Sequence, residues 1–283
     1  VTAAFFVYQL KGELMPASYN FCNKLFHGCG IAGMRMLEAD SIPLVVTSPP
    51  YGSIRDYGGH PFYFKPMARE LWRVIMLGGV VCWHVQDQID KGTESCESCE
   101  QKLFFRDLGF HLHQTLIVDG GRINQHAYRY GVSPQYVFIL SKGKPRTFHA
   151  VKKEPNQSAG RTQTYKELDE SGSVIRQSTK RTAPFRKCGE IWKYSTGSHN
   201  AADKIFRRER HPALMPEALA RDLILSWSNE GDLILDPMSG AATTAKMALL
   251  SNRRYLGFEI FREYHDLAVA RIEAAVAKAH AAA

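Results

Sequence analysis

Long apolar runs are missing from this 283-residue chain: none reaches the roughly 18 residues that a membrane-crossing helix requires. That argues against a helical channel or transporter, and no membrane partner is expected. Val1 to Leu10 carry neither the basic start nor the cleavage site of a secretory leader. Position 1 is not Met, so the first residues are expected to be a trimmed end, and the expected compartment is cytoplasmic. Cysteine is sparse. The six cysteines show no framework spacing, and Cys96-x-x-Cys99 has no second pair at zinc-ribbon distance. Reduced thiols are expected, with Cys96 and Cys99 in a polar loop, and no metal site. No internal repeat occurs, and nowhere near the candidate nucleotide turn is there a full G-x-G-x-x-G, which disfavours a dinucleotide ligand.

What the chain does have is positive charge in one place. Its formal net charge is +8, and residues 141–211 hold 17 Lys or Arg against 7 Asp or Glu. The rest of the chain is slightly acidic, so the whole excess sits in one quarter of the sequence. A concentrated basic segment is the footprint of a phosphate-backbone partner. Lys180 and Arg181 stand at its centre, in Thr179-Lys180-Arg181-Thr182. Hydrophobic periodicity fails from about 143 to 199, and disorder without nucleic acid is expected for part of that stretch.

Two motifs carry the chemistry. In Leu44-Val45-Val46-Thr47-Ser48-Pro49-Pro50-Tyr51 an apolar strand runs into two prolines. Neither proline has an N–H to donate, so the strand must stop there in a stiff turn with outward carbonyls. The Ser48 hydroxyl, the proline carbonyls and the Tyr51 ring suit the grip of a planar heterocycle by its exocyclic amino group. Far along the chain, Leu233 to Leu235 read as a strand, Asp236-Pro237-Met238-Ser239-Gly240 as a tight turn, and the run from Ala241 as a helix. That corner lets backbone approach a ligand closely. The next strand, Arg254 to Glu259, ends in a carboxylate 23 positions after Asp236, where an acceptor for ribose hydroxyls is expected. An adenosine without phosphates fits, as in S-adenosylmethionine.

With these motifs in this order, the chain resembles the DNA amino-methyltransferases of the permuted beta class. The resemblance rests on Thr47 to Tyr51, Arg55-Asp56-Tyr57-Gly58, His211-Pro212-Ala213-Leu214-Met215-Pro216, Asp236-Pro237 through Thr243-Thr244, and Gly257-Phe258-Glu259-Ile260 with Tyr264. It implies an α/β fold: a Rossmann-like, doubly wound, mainly parallel sheet with a basic target-recognition insertion. The implied division is a catalytic half at 20–142, the basic region at 143–200, and a cofactor half at 201–275. It also implies that Ser48, Pro49, Pro50 and Tyr51 form the catalytic turn. Asp236, Pro237, Ser239, Gly240, Thr243 and Glu259 would hold S-adenosylmethionine, with His211, Pro212 and Met215 lining its methionine end. Arg55, Asp56, Lys180 and Arg181 are the candidate DNA contacts. The implied substrate is double-stranded DNA with the target base flipped out, and the implied origin bacterial or phage. A cognate restriction endonuclease is a candidate partner, and the chain would be a monomer or homodimer. Serine at the head of the catalytic motif leans toward cytosine N4. The alternatives are adenine N6 and a catalytically decayed DNA-binding protein. Protein-glutamine enzymes place the cofactor motif first, which argues against them.

Two departures matter. Ala241-Ala242 replace the more glycine-rich family turn, which alanine tolerates where its backbone angles are helical. Gly28-Cys29 stand where many relatives have an acid after the glycine. Elsewhere the pattern predicts strands at Leu25 to Gly28, Val80 to Val85, Leu112 to Val118 and Gln135 to Ser141. Helices are expected over Ala32 to Ala39, Met67 to Met76 with a stop at Gly78-Gly79, up to Leu108, Pro216 to Trp227 and Glu263 to Ala282. Trp83 and Trp192 read as packing residues.

Overall fold

The computed structural model describes residues 21–50, 62–120, 128, 130–131, 134–194 and 214–281. In chain order the elements begin β1 (Lys24–His27), α1 (Gly30–Arg35), β2 (Ile42–Thr47), α2 (Phe64–Val74) and β3 (Ile75–Val85). Two short strands, β4 (Ile89–Asp90) and β5 (Thr93–Glu94), precede α3 (Glu97–Leu108), β6 (His111–Asp119) and β7 (Gln135–Ser141). Then come β8 (Lys152–Pro155), β9 (Thr162–Leu168), β10 (Val174–Arg181), β11 (Phe185–Lys187) and β12 (Ile191–Lys193). The chain closes with α4 (Glu217–Trp227), β13 (Leu233–Asp236), α5 (Thr243–Leu250), β14 (Arg254–Glu259) and α6 (Arg262–Ala281).

Eight strands form one sheet in the order β1-β14-β13-β2-β3-β7-β6-β12. The five from β1 to β3 are parallel, β7 is antiparallel to both its neighbours, and β12 runs parallel to β6. Because strand side chains alternate, β2 sends Leu44 and Val46 to one face and Val45 to the other. The first face packs on Leu219, Leu223 and Trp227 of α4, Ala245 and Ala248 of α5, and Ile272 of α6. The second packs on Met34 of α1, Leu71 and Val74 of α2, and Phe105 of α3. Helices on both faces of a mainly parallel sheet make a doubly wound α/β fold.

Four local expectations change. The helix expected over Ala32 to Ala39 is α1, which starts at Gly30 and ends at Arg35. The helix expected through Met76 ends at Val74, because Ile75 pairs with Ile42 and opens β3. Gly78, at φ 78°, lies inside that strand, where a register shift between Ile42 and Leu44 absorbs the intervening residues; it is not a helix stop. Cys99 lies within α3 and not in a loop. The start of α3 is fixed from a distance, with the Asp87 carboxylate accepting from the Ser98 backbone N–H at 2.9 Å and from its hydroxyl.

Ala150–Glu190 separates as a second compact unit. It is not the irregular stretch expected from its sequence: β9 and β10 pair antiparallel over Thr162–Arg181, and β8 pairs with β11. It is shorter than the basic stretch of sequence. His149 N–H donates to the Ser226 carbonyl at 2.8 Å, and β12 joins the main sheet beside β6.

Candidate active site

The chain leaves β2 for β3 on one side and leaves β13 for β14 on the other, while β2 and β13 are neighbours. The crossovers therefore diverge between them, and a crevice opens at their carboxyl ends, the place where open α/β sheets bind ligands. Both candidate motifs sit on this crevice. β2 ends at Thr47, two residues before the double proline, and β13 ends at Asp236. The Thr47 hydroxyl donates to Asp236 Oδ1 at 2.7 Å across 189 residues of sequence. The Thr244 hydroxyl donates to the Val46 carbonyl at 3.1 Å, a second tie that joins α5 to β2.

The turn after Asp236 is drawn tightly onto β14. Ser239 N–H donates to the Phe258 carbonyl at 2.8 Å, and Gly240 N–H donates to Glu259 Oε2 at 2.7 Å. The other Glu259 oxygen accepts the Phe261 N–H at 2.9 Å. Closeness here demands glycine: a Cβ on Gly257 would lie 2.3 Å from Ser239 Oγ, and one on Gly30 would lie 2.0 Å from the Pro237 carbonyl oxygen. α1 thus begins directly against the turn.

Ala242 corrects an expectation. Its backbone is left-handed, φ 57° and ψ 40°, not right-handed helical. That conformation costs an alanine roughly 1–2 kcal/mol. Glycine would relieve it, but it would also lose a buried methyl, worth about 0.8 kcal/mol, and would be more flexible when unfolded, at about 0.4–1 kcal/mol. The terms nearly cancel, and Ala242 is fully buried in the core beneath the sheet. Alanine is therefore tolerable at this position.

Burial dominates the electrostatics. It pushes the Asp236 carboxyl up to about 6 against hydrogen bonds from Thr47, Met238 and Thr244. It pushes Glu259 up to about 7 against backbone N–H donors, with the Asp236 charge adding to the rise. Two nearby carboxylates desolvated in this way leave the crevice favourable to a cation. Behind the turn, Arg271 is 1 % exposed and donates to the Ala241 carbonyl at 2.8 Å and Thr243 Oγ1 at 2.9 Å. Glu217, two residues after Met215, accepts from Arg271 at 2.5 Å and from Lys246 at 2.8 Å. This buried cluster joins α4, α5 and α6 and fixes two walls of the crevice together.

The crevice holds a cavity of about 320 Å³. Ser48, Pro49 and Pro50 line it together with Asp236, Pro237, Ser239, Gly240, Thr243 and Glu259, and Met215 lines it too. Tyr51, Arg55, Asp56, His211 and Pro212 lie outside the described residues. Lys180 and Arg181 lie on β10 in the second unit. Sequence reasoning missed Gly30 at the start of α1, Phe62 and Tyr63 before α2, and Phe261 beyond β14, and it gave no site role to Cys29 or Tyr264, which it had singled out; all six line the cavity. A small-residue pair after the strand ending at Gly28 was a usable signal for Gly30. Phe261 stands two positions past Glu259. Nothing local marks Phe62 or Tyr63. Trp83 is a packing residue, fully buried, with its Nε1 donating to Gln101 Oε1 at 2.8 Å.

A crevice at the switch point of a doubly wound sheet, lined by a Ser-Pro-Pro turn, is where a fold of this class binds its ligand. The chain belongs to the DNA methylase family of N6 and N4 amino-methyltransferases, which it matches over residues 42–270. It is 42 % identical over 240 residues to the orphan methyltransferase M.BamHII of Bacillus amyloliquefaciens, covering 82 % of this chain and 89 % of that one. Its fold is similar to that of the PvuII DNA methyltransferase (cytosine-N4-specific), with TM-score 0.65 and 17 % identity over 88 % of this chain and 85 % of the other. It is also similar to M1.HpyAVI in its S-adenosylmethionine complex, with TM-score 0.55 and 16 % identity over 87 % and 98 %. The family is S-adenosylmethionine-dependent, and the crevice fits that cofactor. It offers a terminal carboxylate, closely approaching turn backbone, apolar walls from Ile260 and Phe261, and buried acids suited to a cationic ligand. Among the described residues no helix is long and apolar enough to cross a membrane, and no group of His, Cys, Asp and Glu could hold a metal ion.

Proposed function

We propose that this DNA amino-methyltransferase modifies the exocyclic N4 of a cytosine rotated out of duplex DNA. One observation carries the reading: Ser48, Pro49 and Pro50 line the same cavity as Asp236 and Glu259, so an amino group gripped at the turn lies beside the cofactor position. Serine at the head of the motif favours cytosine over adenine. An exocyclic amino nitrogen is a poor nucleophile because its lone pair is delocalised into the ring. Ser48 Oγ and the Pro49 carbonyl accept hydrogen bonds from its two N–H groups, hold the nitrogen closer to tetrahedral and free the pair. Tyr51 stacks on the base, a contact worth about 1–3 kcal/mol, which offsets much of the few kcal/mol that flipping costs. When bound, S-adenosylmethionine supplies an electrophilic methyl on a sulfonium.

The remaining residues hold the reactants in line, and alignment supplies much of the rate. Glu259 accepts the ribose hydroxyls, while Asp236, Pro237, Ser239, Gly240 and Thr243 shape the turn. His211, Pro212 and Met215 take the methionine end. Arg55 and Asp56 follow the catalytic turn closely enough in sequence to reach the target strand, and the basic residues Lys180 and Arg181 engage phosphates or bases. No cysteine is needed as nucleophile, and burial raises the Cys82 thiol far above its ordinary range. Duplex DNA incubated with labelled cofactor and digested to nucleosides gives the test by mass spectrometry. N4-methylcytosine is expected. Label found only in N6-methyladenine overturns the choice of base, and label in neither nucleoside overturns the activity.

A further inference from the structure

We infer that the β9–β10 ribbon lays one of its two faces into the DNA major groove and reads the recognition sequence. Every residue of both strands is exposed, so neither face has a core to cover. A two-stranded ribbon in water is marginal by itself. This one is closed at its tip by the Asp169 carboxylate, which accepts the Ser171 and Ser173 N–H groups, both at 2.9 Å. At its base Thr182 N–H donates to the Arg161 carbonyl at 2.8 Å. It is a shaped but unpartnered element.

The register sorts its side chains. Thr162 opposes Arg181, Thr164 opposes Thr179 and Lys166 opposes Gln177, and residues directly opposite on alternate positions share a face. Over these three rungs that face carries two cations, three threonines, a glutamine and no acid; a fourth rung toward the tip, Leu168 opposite Val174 beyond a bulge, is apolar. The other face carries Gln163, Tyr165 and Glu167 against Lys180, Ser178 and Arg176, with an acid and an aromatic ring. Lys180 and Arg181, neighbours in sequence, therefore point to opposite faces. The first set matches the groove edge group by group: Arg or Lys for guanine O6 and N7, Gln for adenine N6 and N7, Thr for hydroxyl contacts and the thymine methyl. A two-stranded ribbon fits the major groove, about 12 Å wide. Same-face side chains recur about every 6.7 Å along a strand, close to two base-pair steps of about 3.4 Å, so three rungs span about four base pairs.

The inference rests on duplex DNA being the substrate. Its test compares the full-length protein with Thr164→Ala/Gln177→Ala/Thr179→Ala on the reading face and Gln163→Ala/Ser178→Ala on the other. All five positions are exposed and the substitutions leave charge unchanged. Methylation of a randomised duplex library, read by single-molecule sequencing, should show the triple variant losing about 10-fold or more of its preference at one or more positions. The double variant should keep the parental motif. Lys166→Gln and Arg181→Gln should each reduce the slope of log affinity against log salt by about 1. A triple variant with an unchanged motif and rate sinks the ribbon assignment while the methyltransferase reading stands. A parent protein that methylates no duplex sinks both.

Discussion

Raising the pH of the cofactor-free protein from 5 to 8 should cost it about 2.5 kcal/mol of stability through Glu259 alone. The carboxyl sits near 4.5 when exposed and is pushed up to about 7 by burial. Between those values the folded protein binds more protons than the unfolded chain, so stability falls as pH rises through the window. It is fully retained below 4.5 and lost above 7. Other carboxylates with lowered values change stability in the opposite sense, so the parent protein's profile alone is ambiguous. Glu259→Gln isolates the effect because the amide does not titrate. Its absolute stability will drop, since the amide NH2 faces one of the two N–H groups that Glu259 now accepts, a loss of about 1–3 kcal/mol. The informative quantity is the difference between parent and variant in urea unfolding at each pH. That difference should shrink by about 2.5 kcal/mol from pH 5 to pH 8. Parallel profiles would refute the assignment of a buried, proton-binding carboxyl at the crevice. If ribose hydroxyls donate to the ionised form, binding must expel the proton below pH 7. Calorimetric cofactor affinity should then weaken about 10-fold between pH 8 and pH 6 in the parent and much less in the variant.

Gly30→Ala should disrupt the site from the far side of the turn, because the added carbon meets the Pro237 carbonyl oxygen at 2.0 Å. Cofactor affinity should fall at least 10-fold with a loss of about 1–3 kcal/mol in stability, and near-native calorimetric binding would show that α1 can retreat freely. Arg271→Met removes one partner of a buried charge cluster and should destabilise the protein by about 3–5 kcal/mol. The Michaelis constant for cofactor should rise more than turnover falls, since Arg271 touches the turn and not the base; steady-state kinetics showing the reverse would place it elsewhere in the reaction.

Much of the fold was legible because it is local or periodic. β7 and β14 match their expected limits, Gln135 to Ser141 and Arg254 to Glu259, since buried β-branched and aromatic runs bounded by polar residues leave little choice. Ile75-Met76, read as the end of a helix, went astray for the opposite reason. An apolar run of that length suits a helix end or a buried strand, and only pairing with Ile42 decided for the strand. The ribbon over 162–181 escaped notice because both faces are exposed, which removes the alternation that reveals a strand. The α3 start was equally invisible, as its anchor is Asp87, on a different part of the chain.

By itself the sequence determined the residue types of the crevice, the order of the two motifs and the seat of the positive charge, because these follow from side-chain chemistry and short-range spacing. Tertiary structure alone decided that Thr47 and Asp236 meet and that Arg271 and Glu217 brace the turn from behind. Those facts depend on which strands become neighbours and in what register. Pairings of that kind are set by the packing of the whole sheet, and no stretch of the chain encodes them locally.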